Sequence, residues 1–137
     1  MSAMTDYFES GILNQIFRGI SFSWPSTGIY VGLTSDSPTD AAPTANELSG
    51  NGYARVHVAT GNWNAPTTDG GGQLVDNNTA IDFAAASADW GYVSGVIITD
   101  AVSGGNVLMR GDLTTPRNVL NGDTFRFSTG DLDVKFD

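Results

Sequence analysis

The sequence contains no cysteine, a single histidine (His57) and a single lysine (Lys135). Without cysteine the chain has no disulfide bonds, thiolate nucleophiles or thiolate-bound zinc. A single histidine also excludes metal sites built on two histidines. No nucleophile-elbow motif accompanies His57, and we expect this residue to be exposed on the polar face of a strand. We therefore expect the protein to be neither an enzyme nor the carrier of a cofactor or metal.

Long apolar runs and basic residues are also scarce. No segment approaches the roughly 20 apolar residues that span a bilayer. The start, MSAMTDYFESG, has no secretory signal, so we expect synthesis in a cytoplasm without a visible export signal. Acidic residues number 15 against 6 basic ones, which gives a net charge of −9. Because this charge repels polyanions, we expect neither nucleic acid nor a membrane as a partner.

The apolar residues first recur with helical spacing. The segment DYFESGILNQIFRG predicts a helix near residues 6–18, within an N-terminal helical region 1–20. Its large apolar residues form one broad stripe, which we count toward the core. They are Phe8, Ile12, Leu13, Ile16, Phe17 and Ile20.

The rest of the chain alternates with a period of two. The strand around residues 54–58 places Arg55 and His57 on its polar face, and Asn121-Gly122 is typical of a tight hairpin. In the stretch ADWGYVSGVIITD, Val93 and Ile97 share one face and Val96 lies on the other, while Gly95 permits close backbone approach. The predicted core comprises Val93, Ile97, Phe125, Phe127, Leu132, Val134 and Phe136.

These signals predict one domain over residues 1–137 that is mainly β. We expect a compact antiparallel β-sandwich or jelly-roll-like domain over residues 27–137, preceded by one short N-terminal α-helix. A chain of 137 residues is long enough to bury a real core.

Two connections, residues 35–52 and 61–73, are predicted to be long polar loops, and long loops are often functional. Trp63 lies between Asn62 and Asn64 in the second one. We consider these three residues candidates for a partner interface, because tryptophan is frequent among interface hot spots. The alternative is that Trp63 folds back over the sheet edge as a lid on the core.

Several segments together resemble a known family. They are YFESGILNQIF, LTSDSPTD, GYAR, ADWG and the succession GGN…LTTP…GDTFRF. The order of these segments, over nearly the entire chain, resembles small tailed-bacteriophage virion proteins, commonly labelled tail fibre proteins. Some relatives act as capsid decoration (cement) proteins. The resemblance implies no catalytic residues.

From the resemblance and the small repeat-free domain, we expect a non-enzymatic virion structural protein. The favoured role is a capsid decoration protein on the capsid surface, assembled in the host cytoplasm and bound to the major capsid protein or other virion proteins. A homo-oligomer is also compatible with the sequence. The alternative is a tail-fibre or tail-tip module that binds a host receptor or glycan, and a hydrolase is a distant third.

Overall fold

A computed structural model of the chain describes residues 2–136. Within them the chain forms one α-helix, α1 (Asp6–Phe17), and ten β-strands. The strands are β1 (Ser2–Met4), β2 (Gly28–Thr34), β3 (Val56–Ala59), β4 (Thr67–Asp69), β5 (Gly72–Asp76), β6 (Ile81–Asp82), β7 (Gly91–Thr99), β8 (Val107–Val119), β9 (Arg126–Phe127) and β10 (Asp133–Phe136).

All strand pairs are antiparallel and form three sheets. The largest has the order β1-β8-β7-β2-β3, the second β10-β5-β4, and the third is the pair β6-β9. This arrangement confirms the predicted mainly-β, sandwich-like fold with one N-terminal helix. The helix begins and ends within one residue of the predicted bounds 6–18.

The core lies between the five-stranded sheet and the shorter strands. Val31 and Leu33 are two residues apart on β2, so both point from the same face, and both are fully buried. They join a cluster that includes Phe83, Phe125 and Phe127 from the opposite layer. A second cluster links α1 to the sheet and to β10 through Phe8, Ile98, Leu108, Met109 and Val134.

A bulge changes the predicted faces of β7. The register with β8 shifts between Val93 and Gly95, so the alternation restarts within the strand. Val93 and Val96 consequently lie in the same core cluster, whereas the sequence predicted that Val93 would share a face with Ile97. Ile97 is also fully buried, but on the other side of the sheet.

The connection 35–52 lies across that other side of the sheet. A Cβ atom added to Gly95 would be 2.1 Å from Thr34 Oγ1 and 2.7 Å from Pro38, so only glycine fits there. This confirms that Gly95 permits close approach. The connection is irregular, as predicted, but it is held to the sheet by an isolated bridge between Thr34 and Glu47.

Arg55, the residue that precedes β3, corrects one of the sequence predictions. It is buried rather than exposed, and its guanidinium donates to both oxygens of Glu47, from Nε at 2.7 Å and from Nη2 at 2.8 Å. Nη1 donates to Thr99 Oγ1 at 3.2 Å and to the carbonyls of Ala101 and Gly104 at 2.9 and 2.8 Å. The hydrogen bond with Glu47 raises the pKa of Arg55. His57, by contrast, is exposed as predicted.

Two further expectations need correction. Phe136 was expected in the core but is 42% exposed, because β10 ends at the rim of the sandwich, where its ring contacts Phe8 edge-on at 6.1 Å. Residues 61–73 are not one loop, since β4 and the first residues of β5 form a hairpin there. The short strand β1, which pairs with β8, was not predicted.

Candidate interaction surfaces

The three predicted interface residues fasten the chain between β3 and β4 to the end of β5. The Trp63 backbone forms a bridge with Asn77. Asn64 bonds to Asp76 twice, through its backbone N–H and its side-chain amide, both at 2.9 Å. The Asn62 carbonyl accepts from the Asn78 N–H at 3.0 Å. These contacts hold the segment in place and give each asparagine a partner within the fold.

The Trp63 side chain is half-buried and packs against both hydrophobic clusters. This placement is the one expected of a lid over the core. A role for Trp63, Asn62 and Asn64 in binding a partner stays a prediction.

Because Trp63 packs against both clusters, we expect its side chain to contribute measurably to stability. We expect Trp63→Ala to lower the free energy of unfolding by about 2 kcal/mol, because the change removes a partly buried ring from both clusters. Chemical denaturation of the purified domain checks this value. Tyr92→Ala, at a ring that is 53% exposed, is the control and should change it by less than about 0.5 kcal/mol. An unchanged midpoint for Trp63→Ala would contradict the lid and leave the ring free for a partner.

An exposed apolar surface lies on α1 rather than on a loop. Its residues are Leu13, Ile16 and Phe17, with exposures of 56%, 66% and 77%, and we call them the helix face. Their spacing of three and four residues puts them on one side of the helix. The stripe predicted from the sequence therefore exists, but Phe8 is the only member that is fully part of the core.

The segment after α1 packs on the side of the helix that carries Gly11, away from the helix face. Ile20 N–H donates to the Asn14 carbonyl at 3.1 Å, which folds Ile20 back beside the last helical turn. Phe22 N–H donates to Gln15 Oε1 at 2.8 Å, and the Phe22 ring packs against Gly11 so closely that a Cβ there would lie 2.2 Å from it. The glycine that weakens the helix thus provides the site that receives the Phe22 ring.

A separate group of exposed aromatic rings lies on the side of α1 that carries Gly11. Trp24, which is 52% exposed, contacts Phe22 at 4.8 Å and Phe8 at 5.9 Å between ring centroids. Tyr7 and Phe136 flank them, at 41% and 42% exposure. Residues 13–20 include one charged side chain, Arg18, which donates to Asn14 Oδ1 at 3.0 Å. Exposed apolar patches bordered by polar residues are typical of protein interfaces.

A groove of about 480 Å³ forms a second surface, at the side of the sandwich between β8 and residues 125–134. We call it the β8 groove. Its apolar residues include Val96, Met109, Phe125, Phe127, Leu132 and Val134. Its polar residues include Arg110, Asp112, Thr114, Thr115, Arg117, Arg126, Asp131 and Asp133. It shares no residue with the helix face.

The ionisable side chains of the described residues do not gather into a candidate metal site. Among residues 2–136 no group of three or more His, Asp or Glu side chains is placed to hold a metal ion. His57 packs against the Tyr30 ring at 5.1 Å. Every buried side-chain nitrogen or oxygen in this part of the chain has a hydrogen-bond partner.

Comparison with known proteins gives one family. The model of the family described as Podophage GP4 fiber I protein gp80 matches residues 3–135. No protein among the curated ones matches the sequence. Within the described residues, α1 is too short and too polar to cross a membrane.

Proposed function

The chain belongs to the podophage GP4 fiber I protein gp80 family and is thus a bacteriophage virion component, and from this premise we propose that it is a non-enzymatic structural subunit of the tail fibre. In this proposal the subunit attaches to a neighbouring virion protein through the helix face. The family description supports the fibre, and the exposed helix face supports the mode of attachment.

The helix face carries the proposal because its exposure costs free energy in the isolated domain. Burying a large apolar side chain fully contributes about 1.5–3 kcal/mol relative to leaving it in water. Leu13, Ile16 and Phe17 are each more than half exposed, so a partner that covers them gains most of this energy. Since residues 13–17 carry no charged side chain, the matching partner surface is apolar.

Decoration of the capsid surface is the role that the sequence favoured, because the domain is small and has no repeats. A capsid protein with an apolar site would suit the helix face equally well. The word fiber in the family description favours the tail, and we propose that location. The position of the subunit on an assembled particle decides between the two.

The attachment is tested with the double variant Ile16→Ser/Phe17→Ser. Both side chains point away from the domain, so we expect its melting temperature to stay close to that of the unmodified protein. The number of copies per particle should fall about tenfold or more, since interface hot spots contribute 2 kcal/mol or more each. Particles lacking the subunit are mixed with purified protein, re-isolated on a gradient and counted by quantitative mass spectrometry.

Val102→Ser/Leu120→Ser is the matched control, because these residues are 57% and 53% exposed but lie outside α1. It should attach normally. Equal attachment of both double variants would contradict the role of the helix face. Electron cryo-microscopy of the reconstituted particles tests location, since density on the capsid lattice rather than the tail would contradict the fibre proposal.

A further inference from the structure

We propose that Asn51 is a modification site, at which the chain converts its own asparagine side chain into a carboxylate through a cyclic imide. Asn51 lies in the turn 50–53, which the Tyr53 N–H closes by donating to the Gly50 carbonyl at 3.0 Å. The next residue is Gly52, whose lack of a Cβ leaves its amide nitrogen open to the asparagine side chain. This proposal goes beyond the proposed function, because none of these residues belongs to the helix face.

The reaction needs only water as a co-reactant. The Gly52 amide loses its proton, and its nitrogen attacks the side-chain carbonyl carbon, Cγ, of Asn51. A C–N bond forms, the bond from Cγ to Nδ2 breaks, and the side-chain nitrogen takes up a proton and leaves as ammonia. Water then opens the imide ring at one of its two carbonyl carbons. Opening on one side gives aspartate, and opening on the other gives isoaspartate, in which the main chain runs through Cγ.

Two hydrogen bonds favour the loss of the proton from Gly52. Its nitrogen shares a peptide group with the Asn51 carbonyl, whose oxygen accepts from the Ser87 N–H at 3.0 Å and from Trp90 Nε1 at 2.8 Å. When the nitrogen loses its proton, negative charge spreads onto this oxygen. N–H groups that already point at an oxygen where negative charge develops stabilise that charge, as in the oxyanion holes of enzymes. The two donors therefore promote formation of the nucleophile.

The reacting groups at Asn51 are also free to move together. Within residues 2–136 the Gly52 N–H has no hydrogen-bond acceptor, and Gly52 is exposed, so solvent can remove its proton. The Asn51 side chain is held by one hydrogen bond, from Nδ2 to the Asp89 carbonyl, and its length of 3.3 Å makes it weak. Rotation of the side chain toward the Gly52 nitrogen thus loses little.

The pair Asn121-Gly122 has the same sequence but different contacts. It too lies in an exposed turn, which the Asp123 N–H closes by donating to the Leu120 carbonyl at 2.9 Å. Here the Gly122 N–H donates to the Ala86 carbonyl at 2.7 Å, so the nitrogen that would attack is engaged in a hydrogen bond. Among the described residues no N–H donates to the Asn121 carbonyl oxygen. The contacts therefore predict that Asn51 reacts and that Asn121 is protected.

Modification at Asn51 changes the packing beside the turn. Isoaspartate lengthens the main chain by one methylene and displaces the carbonyl that holds the Trp90 indole. The Trp90 ring packs edge-on against the Tyr53 ring at 5.6 Å, so this contact loosens as well. We expect the modified protein to have a lower melting temperature than the unmodified protein.

The test follows both asparagines in the purified full chain during incubation at mildly alkaline pH. Mass spectrometry of proteolytic peptides detects the exchange of an amide for a carboxyl, and fragmentation assigns its position. We expect product to accumulate at Asn51 about tenfold or more faster than at Asn121, because three hydrogen bonds distinguish the two sites. In guanidinium chloride these contacts are absent, so the two rates should become similar.

Two variants test the role of the hydrogen bonds on the Asn51 carbonyl. Trp90→Phe removes one donor but keeps an aromatic ring, so it should slow the reaction at Asn51 about fivefold, the effect of one ordinary hydrogen bond, and leave Asn121 unchanged. Trp24→Phe removes an indole N–H beside α1 and should change neither rate. Melting curves establish that both variants are folded. If Trp90→Phe does not fold, the ratio of the two rates in the unmodified chain, with and without denaturant, decides.

Four results would overturn the inference: no product at either asparagine, equal rates in the folded protein, a faster reaction at Asn121, or a rate at Asn51 that folded Trp90→Phe leaves unchanged or raises. The outcome is independent of the attachment experiment, because Ile16→Ser/Phe17→Ser should react at Asn51 like the unmodified protein. Failure of one proposal therefore leaves the other intact.

Discussion

Arg55→Met is expected to lower the free energy of unfolding by about 3–5 kcal/mol, because it leaves the Glu47 carboxylate without its cation in a largely buried site. The side chains of Arg55 and Glu47 are only 4% and 15% exposed. Methionine fills much of the same volume but supplies none of the five hydrogen bonds that Arg55 donates to Glu47, Thr99, Ala101 and Gly104. Urea denaturation followed by tryptophan fluorescence measures the change.

Two further variants separate burial of charge from loss of volume. Arg126→Met removes an ion pair that is about half exposed on both sides, and it should leave stability nearly unchanged. Glu47→Leu/Arg55→Met removes both buried charges, so it should be more stable than Arg55→Met alone. If Arg55→Met and Arg126→Met lower the free energy of unfolding equally, the buried Arg55–Glu47 pair contributes no more to stability than the exposed Arg126–Asp82 pair.

The contact between Arg55 and Glu47 could not be predicted from sequence patterns. Alternation predicted Arg55 on a polar face opposite Val56 and Val58, and a charged residue there is normally in water. What buries it is the connection 35–52, which brings Glu47 back across the sheet. Tyr53 completes the arrangement by donating to Glu47 Oε1 at 2.9 Å, and burial raises the pKa of its phenol. The seven residues between Glu47 and Arg55 are irregular and have no period that would predict this contact.

The helix illustrates a different limit. Its bounds were predictable because local spacing and end signals are properties of the segment itself. The direction of its apolar stripe was not, since an apolar helix face packs either on its own domain or on a partner. The strands fill most of the sandwich, and Phe8 with the partly buried Ile12 packs on the second cluster, so Leu13, Ile16 and Phe17 remain exposed. The same stripe is now the main reason to propose attachment through α1.

The segment 61–73 shows why composition is a weak guide to structure and function. Polar residues and glycines in 61–73 suggested a free loop, but Thr67–Asp69 and Gly72–Asp76 pair as a hairpin around a glycine turn. The β8 groove had no signal in the sequence, because its residues come from β7, β8, β9 and the segment 130–134, and each of these alone has the pattern of an ordinary strand or connection.

Phe127→Ala is expected to lower the free energy of unfolding by about 3–5 kcal/mol, and Phe136→Ala by less than about 1 kcal/mol. Both phenylalanines occupy apolar positions in the same alternating C-terminal pattern, so the sequence treats them alike. The structure separates them: Phe127 is 7% exposed and contacts the Phe125 ring at 5.2 Å and the Phe83 ring at 6.5 Å, whereas Phe136 is 42% exposed at the rim. The Phe127 ring lies between the two layers, and the two remaining rings, Phe83 and Phe125, cannot close the cavity that its loss would leave without moving β9 from β6. Denaturation midpoints of the two variants under one set of conditions test the difference, and equal midpoints would show that the layers do not meet where the Phe83, Phe125 and Phe127 rings indicate.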